Sequence, residues 1–311
     1  MITVSAPGKI HLMGEHVVVY GKPALLTAIN LRTYVTIQEA DKLSIESSES
    51  DTLIRYAIEL FQKTYHIEKL SSFLLKATSS IPPGCHLGSS AAISVATLGA
   101  LHAFFNKGWN VTKINELAYE VEKKQHGNPS GGDNTAVTFG GFVWFRKEFE
   151  FLKSMWQLPF KISGNLKPFV LINSGRPVEN TGEMVGMVKG KVESGKWEME
   201  KIFNEQEKIT KRITIALKEG DEGELMQCIK EGERNLEAIG VVGEKAKTMI
   251  QEIEHVGGSG KILGGGGVKM GSGMLLVYHP EIEKLTHLAK NNSWELIHIM
   301  LGEEGIRKEI N

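Results

Sequence analysis

Cysteine is nearly absent: the 311 residues hold two, Cys85 and Cys228. That excludes a disulfide framework and makes reduced thiols in the cytoplasm the simplest expectation. A surplus of one charge is also lacking, because 36 basic and 37 acidic residues leave a net charge of -1. Neither nucleic acid nor an anionic membrane is therefore expected as a partner. No stretch approaches the 18 apolar residues of a membrane span. The opening residues, MITVSAPGKIHLMGEH, lack a basic stretch followed by a long apolar run, so no secretory leader is expected. Neither HExxH nor CxxC occurs, which gives zinc no support. What the chain does have is glycine, 34 residues against a usual share of about 7%, clustered rather than periodic.

With 41% hydrophobic residues there is ample material for a core. The segments ITVSAP, LRTYVTIQEA, KLSIES, SFLLKATSS and KPFVLINS suit strands. Leu53, Ile54, Ala57, Ile58 and Phe61 recur at helical spacing and predict a helix over 51–66. Ile114, Leu117, Ala118 and Val121 predict another. Met199, Ile202, Phe203, Ile209, Ile213 and Leu217 predict a long amphipathic helix, and GELMQCIKEGERNLEAIG a further one ending at Gly240. KGKVESGKWE reads as a polar connection, VVVY as an apolar run before a GKP turn, and AVTFGGFVWF as a strand pair around Gly140 and Gly141. The texture changes near residue 160, so two α+β domains are expected, 1–160 and 161–311. The oligomeric state is not legible, and a homodimer is carried forward as the assembly to test.

Three glycine-rich places and two carboxylates carry chemistry. In PPGCHLGSSAAISVATLGAL a strand leads through a glycine loop into a helix opened by Ser89 and Ser90. Helix N-termini have unpaired N–H groups, and glycines let backbone approach an anion closely, so a phosphate chain suits the place. An ordinary loop with a serine N-cap reads equally well. It is no Walker loop, because no GK[ST] follows the glycines. In APGKIHLMGEHVVVYGKPAL, Lys9 follows a turn, which usually means solvated surface. Glu15 and His16 sit between apolar runs, where they cost desolvation unless they bind something. GGSGKILGGGGVKMGSGMLLV is either a flexible loop or backbone packed against a ligand or the first phosphate loop. Glu122 lies on a helix at the edge of a buried face, and Asp133 precedes an apolar run and is expected to start a buried strand. One carboxylate for Mg2+ and another at a nucleophilic hydroxyl would suit phosphoryl transfer.

In order and spacing these motifs resemble the GHMP kinases, in the form carried by the mevalonate-phosphorylating branch of that family. PPGCHLGSSAA is similar to the phosphate loop PxxxGLGSSAA, with His86 in place of the usual glycine. GKIHLMGEHVVVYGKPAL and HGNPSGGDN match two further motifs, and ERNLEAIGV resembles a later helix. KILGGGGVKMGSG departs more from KLTGAGGGGC: Lys261 and Gly264 to Gly267 align, but the extension differs. Ile93 stands where many relatives carry tyrosine. The resemblance implies ATP:mevalonate phosphotransfer with Mg2+ as cofactor. It also implies a ribosomal-S5-like N-terminal domain, a ferredoxin-like C-terminal domain and the site between them. It implies that Gly84, Cys85, His86, Leu87, Gly88, Ser89 and Ser90 wrap the ATP phosphates, with Ser79 touching the nucleotide. Ser90 and Glu122 are implied Mg2+ ligands, Asp133 and Lys9 the catalytic pair, and Glu15, His16, Asp133 and Thr181 the substrate contacts. Phosphomevalonate or sugar kinases of the same family remain alternatives, as does a catalytically silent ligand sensor on the same fold. A nicotinamide oxidoreductase fails for want of an in-register glycine fingerprint.

Overall fold

The computed structural model describes residues 1–47, 51–126, 129–149 and 152–310. Gly127 and Asn128 of the HGNPSGGDN motif lie outside the described residues. Two compact units emerge. The first collects Met1–Lys9, Thr27–Val143 and Gly302–Asn311, and the second Ile10–Leu26 and Trp144–Leu301.

The chain opens with β1 (Ile2–Met13), a 3₁₀ turn (Val17–Tyr20), β2 (Pro23–Glu39) and β3 (Ser44–Ser47). Helix α1 (Asp51–Thr64) and β4 (Phe73–Ser79) follow, then α2 (Ser89–Phe104), α3 (Val111–His126) and α4 (Gly132–Phe139). Next come β5 (Phe142–Lys147) and β6 (Lys153–Leu158). A seven-stranded sheet runs β11 (Arg307–Lys308), β1, β2, β4, β3, with β5 pairing β2 and β6. In α1 the residues buried are Leu53, Ile54, Ala57, Ile58 and Phe61, the set that the spacing picks out. Helix α2 is buried almost all round from Ala91 to His102, because α1, α3 and α4 all pack against it.

The second unit holds β7 (Phe169–Asn173), α5 (Thr181–Ser194), α6 (Lys196–Glu219), α7 (Glu222–Ile239) and α8 (Glu244–His255). It continues through β8 (Ser259–Ile262), β9 (Met274–Tyr278), α9 (Ile282–Asn292) and β10 (Leu296–Ile299). Its sheet has the order β10-β7-β9-β8 with every neighbour antiparallel. That is the strand order of a ferredoxin-like βαββαβ unit. Its core is formed by Val170, Ile172, Leu275 and Val277 from the sheet with Phe203, Leu236, Ile250 and Leu285 from the helices.

Three local expectations are corrected. AVTF is not the first half of a strand pair, and Asp133 does not start a strand: Gly132–Phe139 is helical and only Phe142 onward is extended. Gly131, at φ 82°, starts the helix, and Thr135 Oγ1 donates back to the Gly131 carbonyl at 2.7 Å. This overrides the β-favouring Val, Thr and Phe. KGKVESGKWE is no loose connection: α5 runs through Ser194 and α6 starts at Lys196, with Gly195 as junction. Of the apolar runs that flank Glu15 and His16, VVVY is a 3₁₀ turn closed by Gly21 and is not extended.

Segment Gly302–Asn311 returns to the first unit. Arg32 is buried there, and donates to the carbonyls of Glu304 at 2.8 Å and Gly305 at 2.7 Å and to the Ser5 hydroxyl at 2.8 Å. Register pairs Val4↔Lys308 and Ser5↔Arg307 complete the attachment.

Candidate active site

In the first unit Lys9 stands on β1 and is 3% exposed. Its backbone N–H donates to the Leu87 carbonyl at 2.9 Å, which ties the strand to the glycine loop. Its ammonium lies 2.9 Å from Asp133 Oδ2. A solvated turn lysine is thereby excluded.

The loop reaches α2 through Gly88, at φ 80°, whose added Cβ would lie 2.8 Å from Lys9 Cγ. Only glycine fits this turn against this lysine. Gly88 itself is the N-cap of α2, and no side chain caps the helix. The serine-cap reading therefore does not hold. Ser89 and Ser90 occupy the first turn, half-buried, beside N–H groups that have no partner within the helix. Gly84 also has positive φ, at 69°, and so does His86, at 61°. The glycine usual at that position would be unstrained there, whereas a side-chain-bearing residue costs on the order of 1–2 kcal/mol. Cys85 is half-buried and Leu87 is buried.

Asp133 is held in the first turn of α4 by its neighbours. Asn134 is buried and donates to the Asn115 side-chain oxygen at 2.7 Å, pinning α4 to α3. Glu122 is half-buried on α3, and α2, α3 and α4 pack mutually. One helix cluster thus carries Ser90, Glu122 and Asp133. Ser79 closes β4, with its hydroxyl 2.9 Å from Thr33 Oγ1 and accepting the Ile81 N–H at 3.1 Å.

Glu15 and His16 belong to the second unit. What offsets their desolvation is the third glycine segment. The Glu15 carboxylate accepts a short bond from the Lys261 ammonium, with both side chains enclosed. His16 Nε2 is 3.1 Å from the Gly265 carbonyl. Burial lowers the His16 pKa, which the Gly265 carbonyl and Glu15 only partly offset. The third glycine segment is packed against its neighbours. An added Cβ at Gly266, φ 71°, would fall 2.1 Å from the Val241 carbonyl oxygen, and Gly265 lies against Thr181. Thr181 opens α5 beside Asn180, the N-cap of a capping box closed by Glu183.

Sequence reasoning missed two contributors and one pairing. The Asn115–Asn134 lock has no motif around Asn115. The Leu87 carbonyl is backbone and leaves no sequence mark. Lys261 was legible as a family position, but its partner Glu15 lies far away in the chain.

A family model described as GHMP kinases N terminal domain matches residues 52–141, and one described as galactokinase galactose-binding signature matches residues 2–39. The mevalonate kinase of Archaeoglobus fulgidus is 34% identical over 268 residues, which cover 85% of this chain and 88% of that one. The chain belongs to the GHMP kinase family. A crystal structure of mevalonate kinase superposes with a TM-score of 0.83 at 24% identity, covering 98% of this chain and 100% of its own. The mevalonate kinase of Methanococcus jannaschii follows at 0.82 and 23%, with 97% and 98% covered. The fold of this GHMP kinase is therefore theirs, a mixed α+β architecture. Among the described residues no cluster of three or more His, Cys, Asp or Glu side chains forms a metal cage, and no helix is long and apolar enough to cross a membrane.

Proposed function

We propose that this GHMP kinase transfers the γ-phosphoryl group of ATP to the C5 hydroxyl of mevalonate. The observation that carries the reading is the pairing of buried Lys9 with half-buried Asp133, 2.9 Å apart, with the Lys9 N–H bonded to the loop that opens α2. The 34% identity to a mevalonate kinase supports the choice of substrate.

The glycine loop from Gly84 to Ser90 and the uncapped first turn of α2 offer backbone N–H groups to the ATP phosphates. Ser79, at the end of β4, is assigned a contact to the nucleotide. Ser90 and Glu122 supply the oxygen donors that Mg2+ prefers. One or two protein carboxylates are what this ion usually takes when phosphates and water complete its shell. Bound there, Mg2+ would neutralise phosphate charge.

Asp133 orients the substrate hydroxyl and accepts its proton. A primary alcohol is far less acidic than a carboxylic acid, so a carboxylate alone is a weak base for it. Lys9 makes up the difference by stabilising negative charge as it develops on the hydroxyl and transferring oxygens. Glu15, His16 and Thr181 are assigned contacts to the substrate. The division into domains 1–160 and 161–311 is part of this proposal. So are a cytoplasmic location, the lack of nucleic-acid and membrane partners, and a homodimer.

The test is ADP release with mevalonate, phosphomevalonate, homoserine and galactose. Mevalonate should give the highest kcat/KM, by roughly 100-fold or more, because a site with polar groups built for one substrate leaves them unpaired with another. Galactose winning instead would favour the second reading, a sugar kinase, to which the signature match over residues 2–39 points.

A further inference from the structure

One buried carboxyl in the second unit has no part in the reaction described above. Glu233, on α7, has no exposed surface. Its Oε2 accepts the Ile262 N–H at 2.9 Å, while its Oε1 is buried without a hydrogen-bond partner. The Lys261 ammonium donates to Glu15 Oε1 and to the Ile262 carbonyl at 2.8 Å, with the His11 carbonyl at 3.5 Å. The other oxygen of Glu15 is likewise buried without a partner. Two carboxyls and one ammonium are thus gathered out of water.

The other charged groups that act on Glu233 are Arg234 and Glu237 on α7 and Lys247 on α8. Arg234 is taken by Glu237 and by Glu254 at 2.7 Å, and Lys247 by Glu244 at 2.6 Å. That leaves Lys261 as the remaining cation acting on Glu233, and its ion pair is with Glu15. A second carboxylate charge there would be buried without a cation of its own, which is strongly disfavoured. Burial pushes Glu233 up to about 8, with the Ile262 N–H and Lys261 pulling the other way.

We propose that Glu233 in its neutral form is a positioning residue, which leaves Lys261 to Glu15 alone and so fixes the Glu15–His16 turn for substrate. The proposal rests on the reading that Glu15 and His16 hold the substrate. It gives that turn a built-in pH limit. Once Glu233 loses its proton, two carboxylates compete for one ammonium. The competition also strains the segment running on to Gly265, whose carbonyl holds His16.

Glu233→Gln keeps the shape and makes the neutral form permanent. KM for mevalonate of the wild-type chain should rise about tenfold from pH 7 to pH 9, following the shrinking protonated fraction. In Glu233→Gln it should stay flat, with KM for ATP and the kcat profile common to both proteins. Parallel KM profiles for mevalonate would overturn the positioning role. Urea unfolding without substrate reads the proton itself. Between about pH 4.5, the ordinary carboxyl value, and about pH 8, the folded chain keeps a proton that the unfolded chain has lost. Raising pH across that window therefore favours unfolding. The wild-type midpoint should fall there relative to Glu233→Gln and level off above it, and parallel curves would overturn the buried proton. Absence of mevalonate turnover in the wild-type chain would overturn the substrate reading and the positioning role together, while the unfolding curves still decide whether Glu233 is neutral.

Discussion

Among the described residues two lysines are buried, and the chain uses them differently. Lys9 pairs with Asp133 in the first unit, and Lys261 pairs with Glu15 in the second. Each lies beside a glycine-rich segment and meets one carboxylate. The partners differ in access: the Asp133 side chain keeps 32% of its surface exposed, against 2% for Glu15. A group that must reach a reacting hydroxyl needs an open side. A group enclosed with its countercharge is not placed to react, and Glu15 can serve the substrate by holding the turn that carries His16. Burial of a lysine therefore does not mark chemistry by itself; the accessibility of its partner does.

Lys261→Met gives the largest expected effect and tests the closed side of this contrast. It leaves Glu15 buried without its cation, and unfolding stability should drop by about 3–5 kcal/mol, measured by urea titration. Adding Glu15→Gln should recover part of the loss, because the stranded charge then disappears. A Lys261→Met chain as stable as wild type would mean that the pair holds nothing.

Asp133→Asn and Lys9→Met test the open side. Turnover should fall by roughly 100-fold in each, near 2.7 kcal/mol of barrier, with nucleotide affinity retained. The double variant should be little worse than the worse single one, as for residues acting as a unit. Near-normal kcat in folded Asp133→Asn would reduce this pair to a second structural bridge and erase the contrast.

His16→Ala is smaller and sharper. KM for mevalonate should rise by about tenfold with KM for ATP unchanged, the pattern of lost substrate binding. A loss of thermal stability with KM intact would assign His16 to the Gly265 carbonyl alone. Smallest is His86→Gly, which relieves the left-handed backbone but adds freedom to the unfolded chain. The net gain should be about 0.5 kcal/mol in urea unfolding. A loss instead would show that the imidazole's contacts outweigh the strain.

Much of this architecture was legible beforehand, for physical reasons. Helices α1, α6 and α7 declared themselves because each buries one face, and apolar side chains at helical spacing record that face directly. The order of the motifs gave the family, since glycine turns and their flanking residues answer to one local geometry. Helix α4 escaped because its start depends on Gly131 at positive φ and on Asn115 in another helix, neither of which periodicity reports. The cap of α2 stays ambiguous in sequence because two serines follow Gly88, the residue that fills the position. Glu233 was invisible in a stretch reading EGERNLE, where every charge looks solvated; only the packing of β8 against α7 encloses it.

The return of segment Gly302–Asn311 sets the order of biogenesis. A ribosome releases Lys9, the glycine loop and Asp133 early. Arg32 must nevertheless wait for the carbonyls of Glu304 and Gly305, and β1 for Arg307 and Lys308. Those partners emerge only after every residue of the second unit has been synthesised. From Val143 until Gly302 the nascent first unit thus lacks its closing strand, and Arg32 has Ser5 but not the two later carbonyls. An unpaired strand edge of that kind is a target for chaperones and proteases, and the Lys9–Asp133 pair waits with it for a finished framework.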